Sequence, residues 1–253
     1  MMAVDILIFI GFVLGLILGS FASAMSYRWP RDLPWVIAPS RCPNCSARLG
    51  PADLVPVLSF IRSKGTCAHC GAPISTRYPL IESVTGLACA GAMWMFGTNL
   101  NGLLVIGLAT CVVILAASDF ETHILPDEAQ IALALLGGLW AWHHNQLISG
   151  LLAALMGGGL GLGVRFAYFK LRGIEGLGLG DVKLFAGAGL WLGLLQISWF
   201  LVFGSLLAVM LAIILKKGRD DRIPFGVALC IALYFMVMAQ GAGGGFYPSI
   251  PPV

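Results

Sequence analysis

The chain has 253 residues, of which 58% are hydrophobic and only 11% charged, with a formal net charge of +3. So little charge cannot cover the surface of a soluble domain, which excludes a water-soluble enzyme or a nucleic-acid-binding module and points to a bilayer protein. The 15 Lys and Arg and the 12 Asp and Glu are clustered, and the gaps between clusters define the elements.

Residues 6–27 form the first gap, 22 residues without Asp, Glu, Lys or Arg. That length suits one helix across a hydrocarbon core of about 30 Å. Asp5 precedes the run and strong basic charge follows it, so residues 1–27 are expected to be a retained outside-to-inside helix, not a signal peptide. Gly11, Gly15 and Gly19 make a stripe suited to close helix packing.

Residues 28–78 are a polar loop carrying Arg28, Arg31, Arg41, Arg48, Arg62, Lys64 and Arg77. It also holds Cys42-Pro43-Asn44-Cys45 and Cys67-Ala68-His69-Cys70, separated by 21 residues. Two Cys-x-x-Cys knuckles so spaced predict one tetrahedral zinc site formed by Cys42, Cys45, Cys67 and Cys70. The alternative is a pair of disulfides, which a reducing cytoplasm disfavours. With four thiolate ligands no position is left for water, so the expected role of the metal is structural. His69 reads as a solvated knuckle residue, and Cys89, Cys111 and Cys230 lie in apolar spans where packing accounts for them.

Three longer uncharged stretches follow: 83–118 and 129–164, of 36 residues each, and 184–215, of 32. A single helix of that length would reach roughly 50 Å, too long for one crossing. Each stretch is interrupted near its centre, at Thr98–Asn101, His143–Gln146 and Gly193–Ser198, so each is predicted to be a helical hairpin. The third has the shortest halves. A last uncharged run of 31 residues after Arg222 completes about eight transmembrane helices.

With two crossings per hairpin, every basic residue falls on one side. These include Arg165, Lys170, Arg172 and Lys183 of a second loop and Lys216, Lys217, Arg219 and Arg222 of a third. The positive-inside rule makes that side cytoplasmic. Trp29, Trp94 and Trp142 fall near predicted helix ends, as an interfacial belt would place them. The expected fold is an all-α polytopic membrane protein with a small zinc-binding cytoplasmic loop at 28–78. A core of about seven helices over 79–253 follows it.

Acidic groups beside membrane spans need a reason. Asp127 and Glu128 follow Pro126 in the first turn of a helix, where the dipole favours them. Asp119 instead ends an apolar run, at the unfavourable pole of a helix, and could simply face water. Asp181 follows Gly176-Leu177-Gly178-Leu179-Gly180 and could simply cap the next helix. Both lie at the same cytoplasmic depth, however. Two carboxyls at one level in a low-dielectric boundary can share a proton and activate water against a peptide carbonyl. The glycines beside Asp181 would leave room for an extended substrate.

The run Asp119-Phe120-Glu121-Thr122-His123-Ile124-Leu125-Pro126-Asp127, with Gly178-Leu179-Gly180-Asp181-Val182-Lys183, resembles the type IV prepilin peptidases. Gly19-Ser20-Phe21, Arg28, the paired knuckles, Pro56-Val57-Leu58-Ser59, Arg77-Tyr78-Pro79-Leu80-Ile81-Glu82 and Pro224-Phe225-Gly226 extend the resemblance along nearly the whole chain. It implies that Asp119 and Asp181 are the catalytic pair of a bacterial inner-membrane enzyme. The substrates it implies are prepilins or pseudopilins with a basic leader before a hydrophobic helix. They would be cut at the cytoplasmic face, commonly after glycine. Many relatives also methylate the new N-terminus with S-adenosylmethionine, and the cysteine loop goes with that bifunctional type.

Two departures stand out, Ser23 and Leu54, where many relatives have asparagine. They touch no protease motif, and the residues for methyl transfer stay unassigned. Gly157-x-x-x-Gly161 and Gly159-x-x-x-Gly163 read as helix packing, not as a cofactor loop. The alternatives are a general Gly-x-Gly-Asp intramembrane protease, which the cysteine loop disfavours, a proton-coupled transporter using both aspartates as a relay, and a structural scaffold.

Overall fold

The computed structural model describes residues 2–34, 39–174, 176–216 and 223–241. Lys217, Arg219 and Arg222, assigned to the third basic loop, lie outside the described residues.

Eight α-helices and no strand are present among those residues: α1 (Met2–Arg28), α2 (Leu58–Arg62), α3 (Arg77–Phe96), α4 (Leu100–Thr122), α5 (Asp127–His143), α6 (Leu147–Arg172), α7 (Leu179–Ile214) and α8 (Phe225–Gly241). Five of them, α1, α3, α4, α6 and α7, are long and apolar enough to cross a membrane. Helices are the form an apolar chain must take there, because lipid offers no partner to a free backbone N–H or C=O.

The first two expected hairpins are present. Gly97, at φ 69°, ends α3, and the Asn99 side chain accepts the Gly102 N–H at 3.1 Å to start α4. Asn145, at φ 56°, turns the chain between α5 and α6. The third hairpin is hidden inside α7, whose only non-helical residue is Gly193 at φ 69° and ψ 179°. The rings of Phe185 and Phe200 lie 6.2 Å apart, whereas a continuous helix would separate these residues by about 22 Å. The chain therefore reverses at Gly193 and runs back antiparallel, so α7 is two arms. At the bend the Leu194 N–H donates to Ser149 Oγ at 3.0 Å, tying the turn to the start of α6.

Small residues let the helices close. A Cβ on Gly15 would lie 2.6 Å from the Thr85 carbonyl oxygen and one on Gly19 2.6 Å from the Glu82 Cα, so the stripe on α1 seats α3. Gly157 and Gly161 likewise face α7, through Phe185 and Val182. Gly159 and Gly163 do not fit the packing expected of them. They face open space, because a four-residue step along one helix keeps to one face and the second glycine pair lies on another.

The bends at Gly97, Asn145 and Gly193 gather at one end of the bundle. The loop that precedes α3, the end of α4 and the starts of α5, α7 and α8 gather at the other.

Gly193 occupies a backbone region essentially confined to glycine. Gly193→Ala is expected to cost about 1–3 kcal/mol and to lower the melting temperature of the detergent-solubilised protein by several degrees. Gly138→Ala, in α5 with open space around it, serves as the control. Equal melting temperatures for the two variants would contradict the sharp reversal.

Candidate functional site

Three helix ends converge on Leu125. It lies in the short link between α4 and α5, and the glycines of two other helices press on it. A Cβ on Gly180 would come within 3.0 Å of the Leu125 Cβ, and one on Gly226 within 2.9 Å of its Cδ2. A Cβ on Gly226 would also stand 3.0 Å from the Asp119 carboxyl. Glycine at 180 and 226 is therefore what lets α7 and α8 approach the end of α4.

Asp119 is 5% exposed and sits in the last turn of α4, which His123 closes in the left-handed conformation at φ 54°. Its Oδ2 accepts the Val227 N–H at 3.0 Å. That donor belongs to the first turn of α8, where N–H groups have no partner within the helix and the dipole favours an anion. Asp181, half-buried in the first turn of α7, turns its carboxyl back over Gly178, where a Cβ would meet its Oδ2 at 3.1 Å. Gly180, the neighbour of Asp181, and Gly226, which stands against the Asp119 carboxyl, both pack on Leu125. The structure thus brings together the two acidic groups singled out in the sequence. A cavity of about 230 Å³ lies where the end of α4, the end of α7 and the start of α8 come together, lined by Phe120, His123, Leu215 and Pro224.

Asp127 and Glu128 occupy the first turn of α5 as expected, and Asp127 also pairs with Lys183 at 2.6 Å, an exposed link between the starts of α5 and α7. The Val227 N–H was not legible in the sequence. Its only signal was the Pro224-Phe225-Gly226 run, which marks a helix start without saying which side chain it faces.

The four cysteines form a second cluster. The ligand atoms of Cys42, Cys45, Cys67 and Cys70 all lie within 4.8 Å of one another, and Cys42 and Cys70 Sγ are 4.0 Å apart. A tetrahedron with metal–sulfur bonds near 2.3 Å has edges of about 3.8 Å, so the group could hold a metal ion. Two matching turns build it. In one, Cys42 N–H donates to Ala47 O at 2.9 Å and Ser46 N–H to Cys42 O at 2.9 Å. In the other, Cys67 N–H donates to Ala72 O at 2.8 Å and Gly71 N–H to Cys67 O at 2.9 Å. Ser46 and Gly71 fill the equivalent left-handed positions, at φ 59° and 68°. The Ala72 backbone N–H, and after it the Asn44 side-chain amide, hold the Cys70 thiol down to about 6, suiting it to act as a thiolate. His69 is exposed and outside the cluster, while Cys89, Cys111 and Cys230 are buried in helices.

Residues 13–96 match the model of the bacterial peptidase A24 N-terminal domain, and residues 106–213 that of the type IV leader peptidase family. The chain is 33% identical to a prepilin leader peptidase/N-methyltransferase of Burkholderia pseudomallei, over 85% of this chain and 79% of that protein. It is 31% identical to one of Xanthomonas campestris, over 87% and 86%. A type 4 prepilin-like proteins leader peptide-processing enzyme of Escherichia coli is also 31% identical, over 86% and 88%. No solved structure gives a significant match.

Metal analysis of the purified protein is expected to find about one ion per chain held by the four thiolates. Cys70→Ser should remove most of it and lower the melting temperature, since structural metal binding is linked to folding. Undiminished metal in that variant would show that the ion is held elsewhere.

Proposed function

The chain belongs to the prepilin leader peptidase/N-methyltransferase family, and on that premise we propose that Asp119 and Asp181 are the catalytic pair of a membrane aspartic endopeptidase. The substrates are type IV prepilins or pseudopilins, cut between a short basic leader and a hydrophobic helix. The observation that carries this reading is the convergence on Leu125 of the end of α4, which carries Asp119, and the start of α7, which carries Asp181, at one end of the bundle.

The chemistry follows from that arrangement. The two carboxyls hold one proton between them. The ionised member takes a proton from a water molecule, whose oxygen bonds to the scissile carbonyl carbon. The protonated member meanwhile donates its hydrogen bond to the carbonyl oxygen. Collapse of the tetrahedral intermediate breaks the C–N bond, the departing nitrogen takes up a proton, and the pair returns to its starting state. The Val227 N–H holds Asp119 in one orientation throughout. The cavity lined by Phe120 and His123, just past Asp119 in the chain, offers room for a substrate side chain.

The clustering of Lys and Arg in the loops at this end supports a cytoplasmic orientation, and the family a place in the bacterial inner membrane. The cysteine loop, 28–78, is a separate zinc-binding module ahead of the membrane core 79–253. Zinc is favoured because four thiolates within 4.8 Å of one another suit it and would leave no open position. The relatives named for both activities support a second one here, N-methylation of the newly exposed N-terminus with S-adenosylmethionine as donor. A transporter or a scaffold would leave the peptidase likeness along the chain without a purpose.

Asp119→Asn and Asp181→Asn should each yield a membrane-inserted protein in which prepilin cleavage falls by about 10²–10⁴-fold. Incubating membranes with a prepilin and weighing the product by mass spectrometry reports cleavage position and added methyl group together. Normal processing by either variant would overturn the assignment.

A further inference from the structure

The proposed reaction leaves one densely bonded charge unused. Arg77, the first residue of α3, donates through Nε to the Glu121 carboxylate, through Nη1 to the Ser23 carbonyl at 2.9 Å, and through Nη2 to Ser26 Oγ at 2.7 Å. Its guanidinium lies 5.8 Å from the Tyr27 ring and 5.7 Å from that of Tyr78. Arg31, itself 4.1 Å above Tyr27, reaches the other oxygen of Glu121 at 4.0 Å. The side chains of Arg77 and Glu121 are only 17% and 24% exposed, so water weakens this pair less than an ordinary surface ion pair.

The partners decide what the pair can do. Ser23, Ser26 and Tyr27 are on α1, Arg77 is on α3, and Glu121 is on α4 two residues past Asp119. The last turn of a helix has carbonyls without partners and is where helices fray. Glu121 stands at that unfavourable pole, and the planar guanidinium both neutralises it and fixes its direction. Arg77 also belongs to the stretch matching the N-terminal domain, 13–96, and Glu121 to the stretch matching the peptidase, 106–213. The pair therefore spans the two halves of the chain.

We infer that Arg77 and Glu121 are a positioning pair that fixes the last turn of α4 against α1 and α3, so that the N-terminal half sets the placement of Asp119. This rests on the reading of Asp119 as catalytic. The pair touches no reacting atom. Its effect comes through geometry, to which a hydrolytic centre is sensitive on the scale of about 1 Å.

The test uses the full chain in membranes with a prepilin substrate and compares Arg77→Gln, Glu121→Gln, the double variant and Arg77→Lys. Protein level, metal content, kcat and KM are measured for each. The expected result is normal insertion and metal content, with kcat lowered about 10- to 100-fold and KM nearly unchanged. The double variant should be no worse than the worse single one. Arg77→Lys keeps the charge without the fork and should stay impaired. If Arg77→Gln does not insert, Glu121→Gln decides, since it leaves the serine contacts of Arg77 in place. A wild-type kcat in inserted Glu121→Gln, independent losses that add in the double variant, or a loss confined to KM would each overturn the inference. Cleavage by Asp119→Asn would instead defeat the catalytic assignment. An inert Asp119→Asn beside a fully active Glu121→Gln would defeat the positioning role alone.

Discussion

The bond from the Val227 N–H to the Asp119 carboxyl is where the constraints of the membrane and the needs of a polar site meet. Within lipid every backbone donor and acceptor is consumed by its own helix, so free N–H groups exist only in the first turn. A carboxyl at the end of α4 faces the wrong pole of its own helix. It gains the right pole of another when α8 begins beside it, and Gly226 permits the approach. The remaining arrangement follows from that meeting. The link between α4 and α5 passes beneath it as Leu125, and Gly180 lets α7 bring Asp181 to the same place.

Much of this was legible in the sequence because membrane constraints act on stretches of chain, not on single contacts. Uncharged runs of 32 to 36 residues are too long to cross once, which announced the hairpins. The reversal at Gly193 is the sharpest instance, because a single glycine turns the chain between two helical arms and Phe185 meeting Phe200 betrays it. The cysteine spacing announced a single four-thiol cluster for a similar reason, since its two turns are local and repeat the same pattern.

What could not be read were pairings set by the packing angle between helices. Arg77 and Glu121 are 44 residues apart, and in the sequence each is one charge among several at a membrane edge. Glu82 looked like the boundary of an apolar stretch. It proves to be a buried carboxylate that accepts the Val57 N–H at 2.8 Å. Val57 adopts φ 59° and ψ −48° in a three-residue turn closed from Leu58 N–H to Pro56 O, a costly conformation for a β-branched side chain. The second glycine pair of α6 fails for the complementary reason. Spacing fixes which residues share a face but not which face is covered.

These contacts also bear on the two departures from the family pattern. The cysteine loop, too small for a substantial core of its own, is seated on α3 where Glu82 accepts the Val57 N–H, and Arg77 ties the loop's exit to α1. Arg77 takes the backbone carbonyl of Ser23, while the Ser23 hydroxyl turns back to Ser20 O within α1, so the clamp does not depend on which side chain stands at 23. Leu54 is 42% exposed beside the turn at Pro51–Asp53. Ser23 and Leu54 both lie in the stretch matching the N-terminal domain, 13–96, outside the runs that carry Asp119 and Asp181. Both belong to the half of the chain that supports the proposed peptidase centre without entering it. A functional consequence of Ser23 or Leu54 is therefore to be sought in methyl transfer before cleavage.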